Sequence, residues 1–458
     1  MPSNSLHSLD IAHHIHAATN MRRHEQVGPV VIDRGSGIYV YDDEGREYIE
    51  ALAGLWSVGV GFGEQRLVEA AARQMAKLPY YPTYTHKAHE PSTLLAAKLA
   101  ELGPEGLSHV FFTNSGAEAN DSVIKFVWYY NNALGRPEKK KFIAREGGYH
   151  GITIAAGSLT GLQVNQKGFD LPLPFSRHLS RPHLYRNGLP GETEEAFTER
   201  LAAELEALIL AEGPETVAAF IGEPVMGAGG VIVPPKGYWP AMQAVCRKYD
   251  VLVIADEVIN GFGRLGTMFG CFALDIQPDI LVCSKQITSS YQPLAAVLVS
   301  DAIYQVMADQ SAALGTFGHG FTTSAHPVAT AVALENLAII EERGLVERAA
   351  EMGAYMREGL ARFADHPLVG EVRGMGLIAA VELVANKETK ARFDPPGKVG
   401  MRFFDQAHKH GLIIRAIGDS IAFCPPMIIT REQIDEMLRR FEATLADITA
   451  WVEAGMPA

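Results

Sequence analysis

The chain has 458 residues, 47% hydrophobic and 20% charged, an ordinary globular balance, with a formal net charge of -13. That acidity argues against nucleic acid and anionic membrane as partners, because both require clustered Lys and Arg. No stretch approaches the roughly eighteen apolar residues of a membrane span, and the length calls for two or three packed units rather than one core.

The opening segment, MPSNSLHSLDIAHHIHAATN, has no apolar run, so neither a signal peptide nor an anchor is expected. His13, His14 and His16 cluster there; with no acidic or thiol partner evident, they read as a polar segment and no metal is expected. Leu95, Leu99 and Leu102 then make a helical face that Gly103 ends. A short strand (His109–Thr113), a helix from Gly116 and a strand (Lys141–Ala144) follow. After a helix over Glu194–Ala211 come apolar strands at Val217–Ile221, Val251–Ala255 and Ile280–Cys283. Alternation of this kind indicates an α/β fold, a mostly parallel central sheet flanked by helices. From about residue 328 the pattern changes to a long helix (Pro327–Arg343), a strand-like Gly376–Leu383 and a closing helix that Thr430-x-x-Gln433 caps. The expected organisation is an N-terminal segment (1–60) packing on the small domain, a large α/β domain (61–326) and a smaller α+β C-terminal domain (327–458). Cys246, Cys271, Cys283 and Cys424 are scattered without a CxxC, which suits free thiols and a cytoplasmic location.

Four stretches carry chemistry. In TNSGAEAND (Thr113–Asp121), Ser115 and Glu118 fit a capping box and Gly116 permits close approach, so this strand-to-helix turn can seat a phosphate. Read blandly, it is a well-capped helix. GGYHG (Gly147–Gly151) offers Tyr149 as a stacking face. VLVIADEVINGFGRLG (Val251–Gly266) is an apolar strand ending in Asp256 and Glu257, one of which should point into a cleft at the strand's C-terminal edge. Its Gly261, Gly263 and Gly266 satisfy the dinucleotide pattern of a nicotinamide oxidoreductase, but a phosphate loop should follow its strand directly, so a glycine-rich turn is the better reading. In SKQITSSYQPLAAV (284–297), Lys285 stands between two apolar runs, either in a buried salt bridge or as an amine that attacks a carbonyl. Neighbouring parallel strands bring their C-terminal ends together, so Asp256 and Lys285 should share a pocket. A phosphate seat, an aromatic face, a carboxylate and an amine are together what pyridoxal 5'-phosphate requires. Lys285 would bond its aldehyde, Asp256 keep its ring nitrogen protonated, Tyr149 cover the ring, and Ser115 and Gly116 hold the phosphate.

These motifs, with LWSVGVG (Leu55–Gly61), GEPVMGAGGV (Gly222–Val231), HGFTTSAHP (His319–Pro327), VRGMGLIAAVEL (Val372–Leu383) and IIRAIGDSIAFCPP (Ile413–Pro426), resemble the class III pyridoxal-phosphate aminotransferases over nearly the whole chain, in particular their ω-amino acid or amine:pyruvate branch. The resemblance implies a fold type I transferase and a homodimer or homotetramer with shared active sites. It also places Ala117, His150 and Glu223 around the cofactor, Val258 behind the ring opposite Tyr149, and Thr322 on the phosphate of the neighbouring subunit. Leu55, Trp56, Tyr84 and Tyr149 would line the substrate pocket, and Arg415 would clamp a keto acid's carboxylate, a task that suits a guanidinium fork. Relatives that use 2-oxoglutarate carry a glutamate five residues after that of the EP motif; here the position is Ala228. That points to pyruvate as acceptor and alanine as product, with a 2-oxoglutarate enzyme or an aminomutase as the alternatives. Gln286, Thr323 and Ala325 depart from the family pattern and bear on the shape of the pocket.

Overall fold

The computed structural model describes residues 5–457. Its centre is a seven-stranded sheet in the order Leu107–Thr113, Ala295–Ser300, Ile280–Cys283, Leu252–Asp256, Val217–Gly222, Lys141–Arg145, Ser176–Leu179. The inner strands are continuous apolar runs, buried along their whole length in Val217–Gly222 and Ile280–Cys283, as a sheet covered on both faces demands. Their side chains alternate between two cores: Ile254 and Val282 join one, and Val253, Ala255 and Leu281 join the other. Helix Gly116–Ala133 covers the first face through Ala119, Val123 and Val127. Trp239 and Met242, from helix Tyr238–Lys248, belong to the second.

One strand, Ala295–Ser300, runs antiparallel to both its neighbours. It returns directly from Ile280–Cys283 without a crossover helix, which antiparallel pairing permits. The connecting loop therefore stays at the C-terminal edge of the sheet and carries Lys285. The sheet is thus mostly parallel, as the alternating pattern implies.

Two smaller sheets complete the chain. Ile32–Ser36, Tyr39–Asp42 and Glu47–Glu50 form an antiparallel set that Leu412–Ile413 joins in parallel, so the two ends of the sequence share one sheet. Val369–Met375, Ile378–Leu383, Ser420–Phe423 and Arg415–Ile417 form the other. Helix Arg431–Glu453 starts in the expected reciprocal cap between Thr430 and Gln433. Arg23 also ties the N-terminal segment to Asp405, at 2.5 Å. The main apolar core runs without a break from Ile38 and Leu95 to Leu412 and Ile448. Among the described residues no helix is long and apolar enough to cross a membrane.

The N-terminal histidines require a correction. Asp10 lies one turn before His14 on the helix Leu6–His13, and its carboxylate meets His14, His16 and His24. The acidic partner that the sequence reading found missing is thus present, and His24 arrives from the following helix, Met21–Val27.

Candidate active site

Asp256 is the last residue of its strand and pairs in register with Val282 of the next, one residue before that strand ends. Lys285 follows two residues after that strand ends, and both it and Asp256 face a cavity of about 510 Å³. The juxtaposition expected from strand order is therefore realised. Glu257, the alternate acid, points the other way. Its carboxylate accepts from the Gly270 and Cys271 amides, and burial pushes it up to about 7.

Asp256 is only 2% exposed, and three donors converge on it. Asn120 Nδ2 gives 2.9 Å and His150 Nδ1 2.8 Å to Oδ2, while the Val258 amide gives 3.2 Å to Oδ1. A buried carboxylate so supplied has its hydrogen-bonding capacity met and its orientation fixed. Glu223 accepts from the Tyr149 amide at 3.1 Å and the Gly227 amide at 2.9 Å, pinning the turn that presents the tyrosine. Burial raises the Glu223 carboxyl, a neighbour of Asp256.

Lys285 sits at φ +50°, in the left-handed region that L side chains rarely adopt, and Ser289 and Ser290 do likewise at +48° and +59°. Two anchors hold this loop. Ser284 Oγ donates to the Leu294 carbonyl at 2.8 Å, and Asn336 Nδ2, from a neighbouring helix, donates to the carbonyls of Gln286 (2.7 Å) and Ile287 (3.1 Å). Removal from water brings the Lys285 amine down to about 8, against the opposing pull of Asp256 and Glu223.

The phosphate seat differs in detail from the sequence pattern. Ser115 Oγ accepts from the Glu118 amide at 3.2 Å, but the Glu118 carboxylate reaches Asn114 rather than the Ser115 amide. The box is half formed. Ser115, Gly116 and Ala117 line the cavity at the helix N-terminus, where first-turn amides have no intrahelical acceptor. A Cβ on Gly116 would come within 3.2 Å of Val258, and one on Gly151 within 2.8 Å of Ala117, so both glycines permit close packing around this seat.

Of the site residues expected from sequence, Ser115, Gly116, Ala117, Tyr149, His150 and Glu223 line this cavity with Asp256, Val258 and Lys285. Arg415 stands just outside the lining, close enough to couple electrostatically to Tyr149 and Lys285. The remaining residues stand apart. Leu55 is 53% and Tyr84 43% exposed, Trp56 and Ala228 are buried, and Thr322 lies on the surface, its carbonyl accepting from Tyr80. Gln286 points away from the cavity, holding Arg264 at 3.1 Å and donating to the Phe262 carbonyl. Thr323 reaches Asn114 at 3.0 Å. Ala325 is buried at φ +54°. Sequence reasoning misses Asn120, Ser284 and Asn336. Asn120 and Ser284 leave a trace, each lying in a quoted motif, the phosphate-turn stretch and the lysine stretch, whereas Asn336 leaves none.

The site fits pyridoxal phosphate. It holds a Lys285 amine for which the structure records no hydrogen bond, first-turn amides at one end and a fixed carboxylate at the other. His150 Nε2 and Asn120 Oδ1 are also buried beside it without partners.

A profile for Aminotransferase class-III matches residues 20–445. A mitochondrial gamma aminobutyrate transaminase 1 of Solanum lycopersicum is 51% identical over 428 residues, 93% of this chain and 83% of that protein. A vanillin aminotransferase of Capsicum chinense is 49% identical over 93% of each chain. The crystal structure of an omega transaminase from Pseudomonas jessenii in complex with PMP superposes with a TM-score of 0.97 at 60% identity, covering 99% of this chain and 100% of that one.

Proposed function

The chain belongs to the class III aminotransferases, which use pyridoxal phosphate, and on that premise we propose that it transfers the amino group of an amine or ω-amino acid to pyruvate, releasing alanine. The observation that carries the transfer site is Lys285 and Asp256 meeting in one cavity from adjacent strand ends. When bound, the cofactor supplies a carbonyl carbon that receives the amino group and a conjugated ring that spreads the electron pair left on the substrate carbon.

The chain's own groups do the rest. Asp256, held by Asn120 and His150, would keep a proton on the cofactor's ring nitrogen. Tyr149 and Val258, which line the cavity, would flank the ring, and the amides of Gly116 and Ala117 would hold the phosphate. The Lys285 amine, down at about 8, is poised to take a proton from the substrate carbon and return it one position along.

A single carboxylate clamp supports pyruvate as acceptor. Lys285 is the only lysine or arginine among the described residues lining the cavity, and Arg415 is the guanidinium beside it. Ala228 offers no acid to engage that arginine. A five-carbon diacid needs a second cation; pyruvate does not. Leu55, Tyr84 and Thr322, exposed here, are assigned to the cavity of a second copy in a homodimer, beside the exposed apolar Ile152 and Ile154. The test is a panel of ω-amino acids and aromatic amines, with pyruvate or 2-oxoglutarate as acceptor. Alanine should form with a kcat/KM at least about 100-fold above that for glutamate, a difference of about 2.7 kcal/mol. Glutamate formed as fast as alanine would overturn the acceptor assignment.

A further inference from the structure

We propose that Asp10, His14, His16 and His24 form a structural binding site for a divalent transition metal of the zinc class, outside the transamination site. His16 Nε2 stands 2.8 Å from Asp10 Oδ1 and 2.9 Å from Oδ2. His24 Nε2 is 2.8 Å from Oδ1, and His14 Nδ1 is 3.1 Å from Oδ2. Adjacent rings lie 4.3 Å apart, His14 to His16 and His16 to His24. One ligand atom each from Asp10, His14 and His16 lies within 4.8 Å of the others, and His24 Nε2 reaches the same carboxylate from the next helix. In a tetrahedral site with bonds of ~2.0–2.1 Å the ligand atoms stand about 3.3 Å apart, so the oxygen–nitrogen contacts of 2.8 and 3.1 Å open by a few tenths of an ångström and His24 swings toward the ion to complete the set.

Charge and chemistry favour the same reading. Among the described residues no lysine or arginine pairs with Asp10, so its carboxylate has no competing lysine or arginine. The other converging set, His183 with Glu371 and Glu382, is different: Arg373 and Arg186 already neutralise its carboxylates. Three imidazoles select zinc, cobalt or nickel over calcium and magnesium, which want oxygen. His24 and Asp10 are 12% and 19% exposed while His14 is 65% exposed, giving a shielded inner side and an open path for the ion. Four protein ligands leave no open position, which marks a structural rather than a catalytic ion. The ion would join helix Leu6–His13 to helix Met21–Val27, whose Arg23 is fastened to Asp405.

The test uses untagged, chelator-treated holoenzyme titrated with Zn²⁺ by calorimetry and with Co²⁺ by visible absorption. One ion per chain is expected, with intense tetrahedral cobalt bands displaced by zinc. Asp10→Asn combined with His24→Gln should weaken binding by more than about 100-fold, beyond what loss of an outer-shell partner does. Equal binding by wild type and variant, or no cobalt bands, would overturn the site. Should the variant not fold, hydrogen exchange on the wild type decides: added zinc should protect residues 5–27 selectively, and unchanged exchange there would reject the proposal.

Discussion

Lys285 combines a left-handed backbone, burial and a lowered pKa, which together suit an amine that must react. Only its neutral form bonds a carbonyl. With the amine at about 8 rather than its ordinary 10.5, capture of pyridoxal phosphate by the cofactor-free chain should accelerate about tenfold per pH unit below 8 and level off above it. Absorbance-monitored reconstitution from pH 6 upward checks this; a rate still climbing tenfold per unit beyond pH 9 would show an unperturbed amine. Asp256→Asn removes a charge worth about 4 kcal/mol at contact distance in a medium of effective dielectric 20, so kcat should drop by about a thousandfold. A near-normal rate would assign the ring's counter-charge to another acid. Both residues are legible in sequence because each follows an apolar strand that has no other reason to end in a charge. Asn120 and Asn336 are not: a polar residue on a helix reads as solvent-facing until tertiary packing turns it inward, where both are at most 1% exposed. Asp10 escapes notice for a similar reason, its link to the histidines depending on a helical turn and on His24 from the next helix.

The loops that close the site show how neighbouring elements absorb strain. Gln286 is a tie rather than a pocket residue. It holds Arg264 and packs on Gly59, where an added Cβ would come within 2.7 Å of it. Ala325 takes φ +54°, in the left-handed region. Alanine tolerates the left-handed region at a cost of roughly 1 kcal/mol, and a β-branched side chain much less well. Ala325→Val should therefore lose about 2 kcal/mol or more and melt several degrees lower, whereas Ala325→Gly should stay close to wild type, strain relief offsetting the extra freedom of the unfolded chain. Equal melting temperatures for Val and Gly variants in calorimetry would show that the backbone is not held there. Strands and long helices are legible from period and apolar runs. The half-formed cap at Ser115 is not, because Asn114 competes for Glu118 through a contact that spacing alone does not reveal.

At the scale of the molecule, strand order places the chemistry. The single antiparallel return after Ile280–Cys283 leaves the Lys285 loop at the same sheet edge as Asp256 and the Gly116 helix N-terminus. Sequence alternation makes that layout legible. It does not reveal which of the expected residues reach the cavity: Leu55, Trp56, Tyr84, Ala228 and Thr322 stay off its lining. Which residues of a motif reach a cavity depends on tertiary packing, on which sequence period is silent. The most direct test of the whole account is borohydride reduction of the cofactor-loaded protein followed by peptide mapping. One pyridoxyl group per chain should be found on Lys285 and be absent from Lys285→Ala, which should also lose all amino transfer. A label on a different lysine, or a Lys285→Ala protein that still makes alanine, would contradict it.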